Sequence, residues 1–293
     1  MPRPIGRFEF NAYHPLASGL VFWAPFVNGN GADYIRRLPL TVGGGAPFVF
    51  YDTQGASYSF NNSADYIKTN GAPVTAPPFT ISAWINPSIT SSVRGIVNLG
   101  NSGDTTNYHS LQINAGTIRY RSSDGTQSSA TATGTVNVGE WQLATAVNAA
   151  VNSRAAYYNG GGKGTQTSTR STTGINLVGI GALVGSSVGS FYTGFIRDVF
   201  IWNRALSDAD VAELYADRWW AYRPVYRAFP VFGVTAISLS VADSGSGADA
   251  LSISVALSTS DTGAGSDTTG GATASTTATD TGAGSDAITG MAA

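Results

Sequence analysis

Residues 194–215 decide the fold: they read Gly194-Phe-Ile-Arg-Asp-Val-Phe-Ile-Trp-Asn-Arg-Ala-Leu-Ser-Asp-Ala-Asp-Val-Ala-Glu-Leu-Tyr215. The first half is rich in aromatic and β-branched residues, which is typical of a strand. The second half opens with Ser207-Asp-Ala-Asp210, an Asp form of the capping box, so a helix starts here. Val211, Leu214 and Tyr215 follow at i, i+3 and i+4, one stripe facing a core. Pro224 predicts that this helix ends near Arg218.

Strand patterns dominate the chain before this stretch. In Phe79–Asn86 the apolar residues alternate with Thr80, Ser82 and Trp84, which predicts a strand covered on both faces. Asn114–Thr117 supplies a Gly-containing turn between two alternating segments, and Tyr157–Gly160 supplies a turn of the Asn-Gly type. Many short strands with Gly-rich turns indicate a β-sandwich rather than a parallel α/β sheet.

Three segments resemble the laminin-G-like, concanavalin-A-like jelly rolls. Residues 194–215 are similar to the closing strand and helix of that family, Phe79–Pro87 to its early core strand, and Gly139–Ala144 to its central strand. The resemblance covers roughly residues 18–217 and implies an all-β jelly-roll sandwich with one short helix. The family often has two acidic residues where this chain has Arg197-Asp198, so no role that needs the first carboxylate is expected here.

Composition divides the chain into four parts. Residues 1–17 form a Pro- and aromatic-rich N-terminal arm, 18–218 the laminin-G-like sandwich, 219–234 an aromatic and Arg-rich connector, and 235–293 a low-complexity β-repeat tail. The tail has six Asp and no Lys or Arg, a net charge of −6, while the preceding residues carry 16 basic against 12 acidic groups, a net +4. This asymmetry would let tail and body of neighbouring copies attract each other; a mildly acidic, solvated tail is the alternative.

The tail repeats one unit three times. Asp243–Asp249, Asp261–Asp267 and Asp280–Asp286 start 18 and 19 residues apart, and alternating apolar segments precede the first two. A sheet with one thin apolar face cannot offset chain entropy alone. We therefore predict that the tail becomes ordered in an oligomer or particle; the alternative is a flexible linker or disordered stalk.

Composition also excludes several chemistries. The chain has no cysteine, which excludes disulfides, thiolate zinc sites and a Cys nucleophile. A net charge of −2 gives no field toward nucleic acid or anionic membranes, so neither partner is expected. No apolar run approaches the ~20 residues that span a bilayer, and polar residues interrupt the N-terminal segment, so neither membrane insertion nor a signal peptide is expected.

Catalytic motifs are missing from the sequence. Glycoside hydrolysis needs facing carboxylates, yet Glu9, Glu140 and Glu213 are the three Glu of the chain and form no motif. His14 and His109 give no triad or metal pattern; packing is expected for His14 and a loop position for His109. Gly160–Gly164 lacks the Ser/Thr and helix of a phosphate loop and is interpreted as a hairpin turn. We expect no enzymatic activity.

Candidate binding residues lie in one loop. Asn101, Asp104, Asn107 and Tyr108 combine oxygen ligands with an aromatic ring, which suits a glycan or calcium; an ordinary polar loop is the alternative. Trp84, Trp141 and Trp202 are instead assigned to the core. In the tail, six residues are calcium candidates, although Asp is common in turns for backbone reasons: Asp243, Asp249, Asp261, Asp267, Asp280 and Asp286.

The connector is a candidate assembly surface. It is too apolar for a free linker, so we expect it to pack on the sandwich, to contact other copies, or both. The candidate residues are Trp219, Trp220, Tyr222, Arg223, Tyr226, Arg227, Phe229 and Phe232. The expected partners are the chain itself, as a homo-oligomer such as a trimer, and other virion proteins.

The flanks point to a viral setting. Pro15–Trp23, Trp219–Pro224 and the Asp-Ser/Thr-Gly repeats resemble sandwich-bearing structural proteins of tailed bacteriophages. That resemblance implies a virion component, such as a capsid decoration protein, head fibre or tail-fibre module, made in the host cytoplasm without a signal peptide. The alternative is a lectin-like adhesion module that binds host-surface glycans, with calcium as a candidate cofactor.

Overall fold

The computed structural model describes residues 8–26, 32–45, 47–52, 55–61 and 64–224. The chain divides into two units, Met1–Phe229 and Pro230–Ala293, and only the first contains described residues. The predicted strands of the tail therefore lie outside the described part.

Strands account for most of the described chain. The first nine are β1 (Phe8–Phe10), β2 (Leu20–Ala24), β3 (Thr41–Gly43), β4 (Phe48–Asp52), β5 (Gly55–Asn61), β6 (Tyr66–Lys68), β7 (Phe79–Pro87), β8 (Val93–Gly100) and β9 (Asn107–Asn114). The next nine are β10 (Thr117–Asp124), β11 (Gln127–Thr131), β12 (Gln142–Ala150), β13 (Ser153–Tyr158), β14 (Gly161–Gln166), β15 (Leu177–Ile180), β16 (Leu183–Val184), β17 (Val188–Gly189) and β18 (Thr193–Trp202). The helix α1 (Asp208–Ala216) and the strand β19 (Tyr222–Pro224) follow, and a 3₁₀ turn covers Pro15–Ala17.

Two antiparallel sheets form the predicted sandwich. One has seven strands in the order β11-β10-β9-β8-β15-β6-β3. The other runs β14-β13-β12-β7-β18-β5-β4, and β2 adds to β18. The prediction of an all-β jelly roll is confirmed, and β7 is buried on both faces as its alternation predicted.

The inter-sheet core takes alternate residues from both sheets. The seven-stranded sheet contributes Leu111, Ile113, Ile118 and Tyr120, and the eight-stranded sheet contributes Phe79, Ile81, Ile85 and Ile201. All of them are excluded from solvent. Because side chains alternate along a strand, their neighbours point to the outer faces of the sandwich.

A second core covers the outer face of the eight-stranded sheet. It joins strand residues such as Trp84, Leu143 and Trp202 to Val211 and Leu214 of α1. Ser207 caps α1 with the full capping box that the sequence predicted, and the helix ends at Ala216. In the predicted stripe, Val211 and Leu214 are buried, but Tyr215 is 43% exposed and stacks on Trp84 at 5.9 Å.

The two predicted hairpin turns are present. Ala115 and Gly116 join β9 to β10 with φ of 47° and 78°, and Asn159 and Gly160 join β13 to β14 with φ of 50° and 76°. Two successive positive φ angles match the twist of the flanking strands. In the Gly160–Gly164 segment Gly160 belongs to the turn, whereas residues 161–164 belong to β14.

Candidate functional site

The loop after β8 is organised around the carboxylate of Asp104. Its Oδ1 accepts from the backbone N–H groups of Thr106 at 2.6 Å and Asn107 at 2.7 Å. Its Oδ2 accepts from the side-chain amides of Asn101 and Asn107, each at 3.0 Å. Three of the predicted ligand residues therefore meet at one carboxylate.

A small hairpin, β16–β17, lies over the outer face of the seven-stranded sheet. Asn98, fully buried on β8, donates to the carbonyl of Val184 at 2.8 Å and accepts from its N–H at 3.0 Å. Gly100 allows this approach because a Cβ there would collide with the carbonyl oxygen of Val184. At the hairpin tip, the N–H of Ser186 donates to the backbone carbonyl of Asp104 at 3.0 Å.

The loop and the hairpin enclose a pocket of about 100 Å³. Its lining residues are Asp104, Thr105, Asn107, Tyr108, Leu183, Val184, Gly185, Ser187 and Gly189. Of the four predicted residues, three line the pocket: Asp104, Asn107 and Tyr108. Asn101 does not line it but donates a hydrogen bond to Asp104. The lining thus combines polar residues with the buried Tyr108, and the pocket wall is mainly apolar.

Hydrogen bonds keep the Asp104 carboxylate charged. The N–H of Asn107, followed by its side-chain amide, lowers the pKa of Asp104 below its ordinary value, and Thr106 adds to this effect. The same donors occupy both oxygens, so a calcium ion would have to displace them. Among the described residues no three acidic or histidine side chains cluster as metal ligands. Calcium binding stays an untested prediction.

The sequence did not identify the hairpin half of this pocket. Leu183–Val184 and Val188–Gly189 are two short apolar pairs around Gly185-Ser-Ser187, a pattern that is compatible with a hairpin. The local pattern is therefore compatible with a hairpin. The position of the hairpin over β8, however, depends on Asn98, which lies 86 residues before Val184.

His109 is not in a loop as predicted. It lies on β9 and is 1% exposed, with Nδ1 2.9 Å from the Ser122 hydroxyl and 3.0 Å from that of Tyr120. Burial, with the charge of Arg154 as a smaller cause, lowers its pKa to about 3, so it is neutral at pH 7. His14 has the expected packing role: it caps the Pro15–Ala17 turn and lies 5.5 Å from the ring of Trp220.

One position in the central segment, Trp141, differs from expectation. Trp84 and Trp202 are buried core residues as predicted, but Trp141 precedes β12 and is only partly buried. The guanidinium of Arg197 lies 3.5 Å from the ring centroid of Trp141. Asp198 has a φ of 48° at the break in the β18–β7 register and accepts from the indole N–H of Trp23 at 3.3 Å. Both side chains of the Arg-Asp pair therefore contact tryptophans of the same domain.

The described part of the connector packs on the sandwich. Trp219 and Trp220 are 7% and 2% exposed, and Trp220 and Tyr222 join the second core. β19 pairs with β1, and Arg223 contacts Glu9 at 3.5 Å. Packing back was one of the two expected roles; in the single chain, the two tryptophans have little surface left for another copy, and the assembly role stays a prediction.

The remaining candidates lie outside the described residues. They are Tyr226, Arg227, Phe229 and Phe232 of the connector, and Asp243, Asp249, Asp261, Asp267, Asp280 and Asp286 of the tail. No helix among the described residues has the length and apolarity required to cross a bilayer.

The chain matches one protein-family model. A laminin G model, described as the concanavalin A-like lectin/glucanases superfamily, matches residues 61–212, which is just over half of the chain. The chain belongs to the concanavalin A-like lectin/glucanases superfamily. The match includes β6 to β18, both halves of the pocket and most of α1. Comparison with curated protein sequences finds no significant match.

Solved members with this fold include binding domains. Domain 4 of AbnA, a GH43 extracellular arabinanase from Geobacillus stearothermophilus solved with arabinotriose, aligns with a TM-score of 0.58 at 17% identity over 67% of this chain and 98% of that domain. The receptor-binding domain of botulinum neurotoxin D gives 0.54 at 18% over 69% of this chain and 53% of its own length. The binding domain of Paraclostridial Mosquitocidal Protein 1 gives 0.53 at 17% over 68% and 52%. The chain thus spans about half of the toxin domains, and identities this low show the shared fold alone.

Proposed function

We propose that this chain is a non-enzymatic recognition module that binds a saccharide in the pocket between the Asp104 loop and the β16–β17 hairpin. The pocket itself carries the proposal, because it combines a mainly apolar concave wall with a few polar residues and one aromatic residue, as small-ligand sites do. Thr105 and Ser187 carry hydroxyl groups that can donate to and accept from sugar hydroxyls, and Tyr108 adds an aromatic ring to the lining.

The pre-organised loop supports this assignment. Asp104 is held by five donors from its own loop, and Asn107 Oδ1 accepts from the N–H of Thr173 at 3.2 Å. Groups fixed before binding lose less conformational freedom when a ligand arrives. The arabinotriose in the structure of the AbnA domain supports a saccharide ligand, and the receptor-binding name of the toxin domain supports a recognition role in general.

The positions of the glutamates support a binding role without catalysis. Glu9 lies on β1, Glu140 in the loop before β12, and Glu213 on α1. Glu9 and Glu213 contact Arg223 and His14, and Glu140 accepts from Asn137 at 2.9 Å. They belong to three separate elements, whereas glycoside hydrolysis needs two carboxyl groups across one bond.

Display on a virion is the second part of the proposal. The flanks β1 and β19 pair beside the second core, on the outer face of the eight-stranded sheet. The pocket lies on the outer face of the other sheet. Attachment through the flanks would therefore leave the pocket facing outward.

Light scattering of the full chain and of a chain ending at Phe229 tests assembly through the tail. The full chain should be a trimer or a larger species, and the shortened chain should be a monomer. If both chains are monomeric, assembly through the tail is contradicted.

The saccharide proposal is tested by blocking the pocket. Ser187 is exposed at the hairpin tip and lines the pocket, whereas the equally exposed Ser186 does not line it. In a glycan array with the full chain, Ser187→Trp should abolish the binding of any saccharide captured by the unmodified protein, and Ser186→Trp should retain it. Equal binding by both variants, or no captured saccharide at all, would contradict the proposal.

A further inference from the structure

Two arginines stand side by side on the outer face of the seven-stranded sheet. Ile118, Tyr120 and Ser122 of β10 point into the sandwich, so Arg119 and Arg121 point outward by alternation. Both are half-buried. Among the described residues neither guanidinium forms an ion pair. This face therefore carries two uncompensated positive charges in a partly desolvated position.

The ladder places polar groups beside the arginines. Arg119 is opposite Gln112 and Arg121 is opposite Ser110 in the β9–β10 register. With its amide oriented toward Arg119, Gln112 accepts from Nε and Nη2 at 2.7 Å each. Burial, and then the charge of Arg121, lowers the pKa of Arg119 to about 10, which still leaves it charged at pH 7.

Two buried polar atoms at this place lack partners. Arg121 Nε and Ser110 Oγ are both shielded from solvent, and neither has a hydrogen-bond partner within the described chain. Ser110 is fully buried. Unsatisfied buried polar groups are rare in native proteins, so each calls for an explanation, such as a bound water or ion that supplies the missing partner. An anionic oxygen is the acceptor that a guanidinium binds most strongly.

The arginines adjoin the pocket through Tyr108. Tyr108 and Ser110 are two residues apart on the same face of β9, a distance of about 7 Å along a strand. Tyr108 lines the pocket and is also close enough to Arg119 to interact with that guanidinium. A sugar ring seated against Tyr108 can thus direct a substituent toward Arg121.

We propose that Arg119 and Arg121 bind the carboxylate of an acidic sugar residue whose ring occupies the adjoining pocket. This inference rests on the proposed saccharide function and specifies its ligand as acidic. Asp104, whose pKa is lowered, lines the pocket as a carboxylate, so a carboxylate on the sugar is favoured toward the arginines and away from Asp104.

Calorimetric titration of the full chain with trigalacturonate tests the inference, and the fully methyl-esterified trimer is the matched neutral probe. Trigalacturonate should bind at least tenfold more tightly than its ester. Arg121→Gln and Arg119→Gln should each remove most of that preference, since hydrogen bonds to charged groups are the strong ones. Arg36→Gln removes the same charge from an exposed position and should change nothing.

The outcomes separate the two proposals. Equal affinity for both trimers, or a preference that survives both arginine substitutions, overturns the acidic-sugar site while leaving saccharide binding intact. Preference for a heparin-derived tetrasaccharide over trigalacturonate, lost in the same variants, would show that the arginines take sulfate and would overturn the carboxylate. If neither these probes nor any array saccharide binds, the saccharide function itself is wrong.

Discussion

The hydroxyl of Tyr222 donates to the carboxylate of Asp198 at 2.6 Å. The same oxygen of Asp198 accepts from the indole of Trp23, so one buried carboxylate joins the connector to β2 and β18. The ring of Tyr222 also meets Trp23 edge-on at 5.0 Å. The second residue of the Arg-Asp pair therefore has a structural role, which fastens the C-terminal flank to the sandwich.

Tyr222→Phe should destabilise the sandwich by about 1.5–3 kcal/mol, because it removes a hydrogen bond to a charged, buried group but keeps the ring. Urea unfolding followed by tryptophan fluorescence measures the change. Tyr13→Phe is the matched control, since Tyr13 is 84% exposed and the same atom is lost there. A Tyr222→Phe protein as stable as the control would show that this hydrogen bond adds nothing to stability.

The buried histidine should make stability depend on pH. The pKa of His109 is lowered to about 3 in the folded state, against about 6.5 in the unfolded chain. The contribution of His109 to the free energy of unfolding is complete above pH 6.5 and is lost as the pH falls. The reason is that the unfolded chain then binds a proton at this histidine and the native state does not. Between pH 6 and 4.5 the free energy of unfolding should fall by about 1.2 kcal/mol per pH unit on average.

Urea unfolding at several pH values in that window measures this slope. The window stays above pH 4.5 because Asp104 and Asp124, whose pKa values are lowered, add their own dependence at lower pH. His109→Gln should flatten the slope whatever its stability at pH 7. If the variant retained the full slope, the proton would be bound elsewhere.

Local patterns predicted the elements that depend on neighbours in sequence. The capping box at Ser207 and the alternation in Phe79–Pro87 each produced the expected element, because caps and strand faces are set within a few residues. His109 was misplaced for a related reason. β9 begins at Asn107, and the polar residues at its start do not show the apolar alternation of a strand. Packing within the fold nevertheless buries His109.

The site was only half predictable. The Asp104 loop is local, so its oxygen-rich sequence was enough to select Asp104, Asn107 and Tyr108. The hairpin above it is positioned by Asn98 and by the close approach at Gly100, and no sequence pattern links these residues to Val184. Arg121 looks like an ordinary surface residue until the ladder places it opposite Ser110.

Because the β16–β17 hairpin lies so close to Gly100, a single methyl group added at that position should destabilise the protein. In Gly100→Ala the new Cβ would collide with the Val184 carbonyl and come within 2.8 Å of Asn98 Nδ2, so the hairpin has to move away from β8. We expect a loss of about 1–3 kcal/mol in the free energy of unfolding, as in other overpacked sites. The N–H of Val184 donates to Asn98, so its hydrogen exchange should become faster.

Gly161→Ala is the matched control for this change. Gly161 also lies on a strand, and a Cβ there meets nothing within 4 Å. The control should leave both the stability, within about 0.5 kcal/mol, and the exchange of Val184 unchanged. Because the hairpin forms one wall of the pocket, Gly100→Ala should also weaken saccharide capture. Unchanged Val184 exchange in Gly100→Ala would mean that the hairpin is not seated against β8 in solution, and the pocket would then lose the wall on which its proposed function depends.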